Sequence, residues 1–166
     1  MKAAFPPIIA PDARILILGT MPGEESLARQ EYYANPRNQF WRIMQALFEI
    51  PVTVPYPERI SSLQRRRIAL WDVLHSCERV GGLDSAIKNA IPNDFAGLLA
   101  DNPALKAIAF NGKKAAEWFE KWARVDTTGF QKLVLPSTSP AAALAFEKKV
   151  TAWAVLRTLS ANSEIP

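Results

Sequence analysis

The chain has 166 residues, 49% of them hydrophobic and 22% charged, and carries a net charge of +4. That length buries a sizeable core and predicts a single domain over residues 1–166, with a composition typical of folded rather than disordered chains. One cysteine and one histidine exclude an internal disulfide and a zinc site of the usual Cys/His type; no apolar run is long enough to span a bilayer, and the proline-broken start carries no signal-peptide pattern.

The default setting is cytoplasmic, nucleoid-associated if the source is a prokaryote. A pI of about 9.4 is a mild pointer to a polyanionic partner. Residues 1–13 read as an extended N-terminal arm, because Pro6, Pro7 and Pro11 exclude helix. Residues 14–19, an unbroken apolar run ending in Gly19, predict a buried parallel strand. A loop with Pro22 and Gly23 follows. Phe40, Met44, Leu47 and Phe48 then share one helical face, with Trp41 beside them, and predict a helix from Asn38 to Phe48. Pro51, Pro55 and Pro57 interrupt the chain before a short helix from Glu58 to Arg66.

Ile68–Leu74 reads as the second strand, with His75, Ser76 and Cys77 at its end. A Gly81-Gly82 loop comes next, and Asp84 or Ser85 is placed to cap a short turn. Asn93 or Asp94 is placed to cap a helix over Phe95–Ala100. Leu105–Phe110 is the third strand, followed by Asn111-Gly112 and a helix from Lys113 to Arg124. Leu133–Leu135 is the fourth strand. Ser139 as N-cap and Pro140 at the first helical position then predict a last helix running to Leu159. The repeated strand–helix order predicts an α/β fold, a three-layer α/β/α sandwich around a central four-stranded parallel sheet.

In such a sheet all carboxyl ends share one edge, where ligands bind. That edge collects Gly19–Ser26, His75–Cys77, Asn111–Lys114 and Pro136–Pro140, segments rich in Gly, Ser, Thr, Asn and Pro. There is no dinucleotide glycine fingerprint, no phosphate loop of the G-x-x-x-x-G-K-[ST] form and no nucleophile elbow. Apart from Glu24 and Glu25 the edge has no carboxylate pair. Any hydrolysis here leans on amides, helix ends and oriented water.

Gly19-Thr20-Met21-Pro22-Gly23, followed by Tyr32-Tyr33 and Pro36-Arg37-Asn38-Gln39-Phe40-Trp41, resembles the first motif region of the uracil-DNA glycosylase superfamily. The match is strongest to its hypoxanthine-DNA glycosylase (deoxyinosine glycosylase) branch. Pro136-Ser137-Thr138-Ser139-Pro140-Ala141 is similar to the second motif, a strand-to-helix loop. Trp71–Leu74 with Ser76-Cys77, and Ala109–Gly112, fit the two intervening strand ends. The resemblance covers nearly the whole chain. Met21 stands where most branches carry Asp or Asn, and the second motif has Ser137 and Ser139 but no His. In the hypoxanthine branch a downstream Asn takes over, and that position matches Asn38.

The resemblance implies that the substrate is DNA carrying a deaminated base, hypoxanthine first and uracil second. The nucleotide must leave the helix before its glycosidic bond can be reached. Asn38 is then the catalytic residue, positioning the attacking water. Gly19, Thr20, Met21, Tyr33, Phe40, Ser76 and Asn111 form the base pocket. Tyr33 or Phe40 stacks on the base, and Asn111 reads its edge, since an amide offers both donor and acceptor. Pro22, Gly23, Arg37, Lys113, Ser137, Thr138 and Ser139 grip phosphates, with Lys114 adding charge and backbone N–H groups aided by a helix N-terminus.

Read without the resemblance, Asn38 is a helix N-cap; the two roles are compatible. His75 is as readily a structural histidine as a ligand contact, Cys77 an inert buried thiol, and Asp72 a buried hydrogen-bonding group. The expected protein is a monofunctional glycosylase, monomeric, without metal, cofactor or membrane contact. Two rivals stand beside it: a non-catalytic nucleic-acid- or nucleotide-binding module on the same fold, and a hydrolase of free nucleosides.

Overall fold

The computed structural model describes residues 2–79 and 87–161. Its centre is β2, Ile15–Gly19, in which every residue is buried. Branched and long aliphatic side chains fill both faces of this strand, the pattern of a parallel strand covered on both sides. β3 (Ile68–Asp72) pairs with it on one edge and β6 (Ala107–Asn111) on the other, while β7 (Gln131–Leu135) extends the sheet beyond β6. All of these pairings are parallel, in the order β3-β2-β6-β7.

Alternation along β2 sends Ile15 and Ile17 to one face and Leu16 and Leu18 to the other. The first face is covered by α2 (Phe40–Phe48), α3 (Tyr56–Arg65), α6 (Phe146–Trp153) and α7 (Val155–Ala161), through Phe40, Met44, Leu63, Trp153 and Leu156. The second is covered by α4 (Phe95–Asp101) and α5 (Lys113–Trp122), through Phe95, Trp118 and Phe119. The result is the α/β/α layering expected from the strand–helix order. Among the described residues, no helix is long and apolar enough to cross a membrane.

The chain departs from the sequence expectation in three places. The run read as one strand to Leu74 stops at Asp72, and β4 (Leu74–Glu78) leaves to join an antiparallel sheet with β1 (Lys2–Ala3) and β5 (Lys88–Pro92). Val73 and Leu74 donate their N–H groups to the carbonyls of Gly19 and Thr20, which turns the chain out of the parallel sheet. The N-terminal arm is extended as expected, and Ile8 and Leu70 exchange backbone hydrogen bonds, so the arm covers the β3 edge. Second, Glu24–Arg29 forms a short helix, α1, with Gly23 at its N-cap and an acidic first turn.

Third, Ser139 and Pro140 do not start the last helix. Residues 136–145 stay irregular, and α6 begins at Phe146. Ser139 instead closes a local turn, accepting from the N–H of Ala141 through Oγ and from that of Ala142 through its carbonyl. Tertiary hydrogen bonds from α6 hold the loop open against its own helix propensity. Of the two candidate caps of α4, Asp94 accepts from Gly97 N–H at 3.0 Å, while Asn93 donates to the Asp72 carbonyl at 2.7 Å. The expected turn at Gly81-Gly82, with its caps Asp84 or Ser85, lies outside the described residues.

Trp153 ties the two halves of the helical layer together. It is fully buried, packs edge-on to Phe40 at 6.0 Å, and donates from Nε1 to the Pro136 carbonyl at 2.8 Å. Trp153→Ala removes that ring and that donor, and the expected loss is about 3–5 kcal/mol, measured by denaturant titration.

Candidate active site

Strand order reverses at β2: the chain moves from β2 to β3 on one side and later to β6 on the other. Beyond the carboxyl ends at this switch point lies a cleft of about 570 Å³, the expected place and size for a ligand site in an open α/β sheet.

The first wall is the loop after β2. A side chain at Gly19 would place its Cβ 2.6 Å from Asp72 Oδ1 and 3.2 Å from the Tyr33 hydroxyl. Glycine is therefore required for the close approach of these polar groups. Met21 turns inward and is buried with the Leu16–Leu18 face of the core. Its thioether has neither the basicity nor the hydrogen-bonding capacity to activate water. Pro22 follows, and its carbonyl accepts a short hydrogen bond from Nη2 of Arg79, itself a buried guanidinium that lines the cleft. Gly23, Glu24 and Glu25 form an exposed, acidic rim.

The second wall is the Tyr32–Asn38 segment. Ser26 of α1 accepts from the Ala34 N–H, and Trp41 donates to the Tyr32 carbonyl, so the segment is fixed from both sides. Tyr33 adopts a left-handed backbone, φ 58°, a strained conformation that persists only where its surroundings impose it. Its ring stacks on Phe40 with centroids 4.1 Å apart and planes 17° from parallel. Tyr33 lines the cleft, whereas Phe40 is fully buried behind it. The aromatic face available to a ligand is therefore that of Tyr33, and Phe40 supports it from the core.

The Tyr33 hydroxyl is buried beside Asp72 and Asn111, with no hydrogen bond of good geometry among the described residues. Burial, reinforced by the Asp72 charge, raises its pKa well above that of an ordinary tyrosine. It is therefore a neutral hydroxyl at physiological pH. Asn38 lines the same wall. Its Oδ1 accepts from the Phe40 N–H at 2.9 Å, and its own N–H donates to the Asn35 carbonyl at 2.9 Å. The N-cap of α2 is Gln39 rather than Asn38; Asn38 closes a local turn one residue earlier, which fixes its amide and leaves Nδ2 and one lone pair of Oδ1 for the cleft.

The third wall joins the ends of β6 and β7. Their register pairs Asn111 with Leu135. A few residues on, Asn111 and the buried Thr138 make a reciprocal pair: Asn111 Nδ2 donates to Thr138 Oγ1 at 3.0 Å, and the Thr138 N–H donates to Asn111 Oδ1 at 2.9 Å. Donor and acceptor ends of the Asn111 amide are thereby assigned, each with one valence left over. Gly112 has φ 97°, and a Cβ there would meet that of Ser137 at 3.0 Å, so this crossing also requires glycine. Lys113 and Lys114 open α5 with exposed side chains that line the cleft beside Ser137.

Most of the residues singled out from sequence meet in this cleft: Gly19–Gly23, Tyr33, Asn38, Asn111, Lys113, Lys114 and Ser137–Ser139. Three do not. Phe40 lies beneath Tyr33. Ser76 is carried away on β4, buried opposite Ala3 and Ile91. Arg37 sits on the exposed turn, with its N–H donating to Asn35 Oδ1. His75 is exposed on β4, outside the cleft. Arg79 was not anticipated, because nothing in the periodicity near it signals the antiparallel excursion that returns it to the site. Lys149, which donates to the Ser139 and Ala142 carbonyls from behind the third wall, had a visible signal: it lies three residues after Phe146 and four before Trp153, on the inward stripe of α6.

The sequence matches the uracil DNA glycosylase superfamily over residues 6–160. It is 41% identical over 142 residues to a Methanosarcina acetivorans protein named hypoxanthine DNA glycosylase, covering 85% of this chain and 88% of that relative. A Methanosarcina barkeri protein of the same name is 36% identical over 154 residues, covering 92% and 96%. The solution NMR structure of a uracil DNA glycosylase candidate from Methanosarcina acetivorans superposes with a TM-score of 0.82 at 38% identity, covering 95% of this chain and 98% of that one. With its switch-point cleft and its match over nearly the full length, the chain belongs to the uracil DNA glycosylase superfamily.

Proposed function

We propose that the protein excises hypoxanthine from DNA, with uracil as a second base, by hydrolysing the N-glycosidic bond of a nucleotide flipped into the switch-point cleft. The observation that carries this reading is the convergence of an aromatic face, Tyr33, and two oriented amides, Asn38 and Asn111, on one cleft. Both relatives described above bear the name hypoxanthine DNA glycosylase.

The base stacks on Tyr33, whose ring is backed by Phe40. Asn111 reads the base edge with the valences that Thr138 leaves free. Cleavage moves positive charge onto the sugar and negative charge onto the departing base. Asn111 and main-chain N–H groups meet that negative charge as an oxyanion hole does, while Asn38 orients the water that attacks the sugar. An amide orients water but barely accepts its proton, so the reaction depends on leaving-group stabilisation more than on general-base chemistry. Phosphates flanking the flipped nucleotide are held by the N–H groups of Gly23 and Ser137, by the Ser137 and Ser139 hydroxyls and by Lys113 and Lys114, with Arg37 reaching the strand from its exposed turn. The acidic rim at Glu24 and Glu25 excludes phosphate from the α1 side and restricts the path of the strand.

Duplex oligonucleotides carrying deoxyinosine or deoxyuridine decide the chemistry. The expected outcome is an abasic product, formed faster from deoxyinosine; binding without product favours the non-catalytic module. Asn38→Ala should abolish excision while DNA binding persists, and should lose about 1 kcal/mol of stability with the hydrogen bond from the Phe40 N–H. Asn38→Asp keeps an acceptor for the Phe40 N–H and should retain that stability; full activity in Asn38→Ala would overturn the assignment. Affinity for DNA should fall steeply with salt, with a log–log slope of about −0.9 per phosphate neutralised; a hydrolase of free nucleosides shows no such DNA affinity.

A further inference from the structure

Lys149 is a lysine with almost no exposed surface. Its ammonium donates to Gln39 Oε1 at 2.8 Å, to the Ala142 carbonyl at 3.2 Å and to the Ser139 carbonyl at 3.4 Å. Among the described residues all of these acceptors are neutral. A buried charge without a counter-ion is costly, and such groups are often replaceable by apolar ones without loss of stability. The burial also lowers the pKa of Lys149 from its ordinary value.

The contacts have a direction. One turn along α6, Trp153 holds the Pro136 carbonyl, and the Gln39 N–H holds the Thr138 carbonyl at 2.9 Å. Four carbonyls of the loop between β7 and α6 are thus turned toward the interior. The described peptide bonds are all trans, and a trans peptide points its N–H opposite to its carbonyl. The N–H groups of Ser137 and Ala143 therefore face away from α6. Gln39, the other end of the bridge, follows Asn38 directly and precedes α2.

We propose that Lys149 is a positioning residue, a buried cation that turns the Ser137 and Ala143 N–H groups outward as anion-binding donors and locks their loop in register with the Asn38 segment. Through Gln39 it couples the grip on the DNA backbone to the placement of the attacking water, and its charge lies directly behind the loop that meets phosphate. This rests on the function proposed above.

The test uses the full chain, a deoxyinosine duplex, single-turnover excision at saturating enzyme and direct titration of DNA affinity. Lys149→Met is expected to fold, with near-UV circular dichroism and Tm close to those of the unmodified protein. Its excision rate should fall between about ten- and a hundredfold, with weaker DNA binding. Lys149→Arg should restore most of both. Gln39→Leu should lower the rate as well, and combining it with Lys149→Met should add nothing further, because the two residues act through one link. Folded Lys149→Met that excises and binds within about twofold of the unmodified protein overturns the inference. So does a loss of activity that only tracks a loss of folded protein and is absent at low temperature. If the unmodified protein excises no deaminated base, the parent reading fails, and the DNA-affinity comparison still decides the role of Lys149.

Discussion

Parallel strands that stop at one level bring their following loops together, and here the register of β2 with β3 and β6 does that work. Gly19 lies opposite Asp72 in one pairing, and Leu18 lies opposite Phe110 in the other. The polar groups just past these positions consequently crowd onto a small area, which explains why glycine is needed at 19 and 112 and why a tyrosine is held in a left-handed backbone at 33. Strain of this kind is retained where surrounding packing overrides it, and the Tyr33–Phe40–Trp153 aromatic column supplies that packing from beneath the cleft.

The chemistry available follows from what the register leaves exposed. Met21 is spent on the core, and Asp72 is folded in beneath Gly19. The groups presented to a ligand are two amides with assigned ends, an aromatic face, the Arg79 guanidinium and backbone N–H groups. Such a set stabilises charge developing on a leaving group better than it removes protons from water. It suits a bond whose cleavage is driven from the leaving-group side, as the glycosidic bond of a deaminated purine is.

Much of this was legible in the sequence where one physical signal dominated. The apolar run at 15–18, the Asn111-Gly112 strand end and the Asp94 cap follow from burial, backbone freedom and local hydrogen bonding, and the structure carries each of them. The misread places are those where distant contacts compete with local preference. Ser139-Pro140 is a sound helix start by local rules, but Lys149 holds the Ser139 carbonyl and Trp153 the Pro136 carbonyl upstream of it. The chain leaves the parallel sheet at Val73 because Gly19 and Thr20 accept its amides, which no window around residue 73 reveals. The same excursion removed Ser76 from the cleft and delivered Arg79 to it. Phe40 was one of two equivalent aromatics by sequence, and only packing decided which of the pair faces outward.

The clamp made by α6 also has a consequence for the order of events on the ribosome. The whole parallel sheet is specified once β7 has been made, yet the contact between Lys149 and Gln39 spans 110 residues of chain. A nascent chain that has emerged only through residue 135 owns every described strand and the Asn111 end of the cleft, but lacks the second-motif loop and the α6 side chains that hold it. Long-range closures of this kind come late, after the entropy of the intervening loop has been overcome. The final helices therefore complete both the cover over the Ile15–Ile17 face and the active-site geometry, and competence to act on DNA arrives with them.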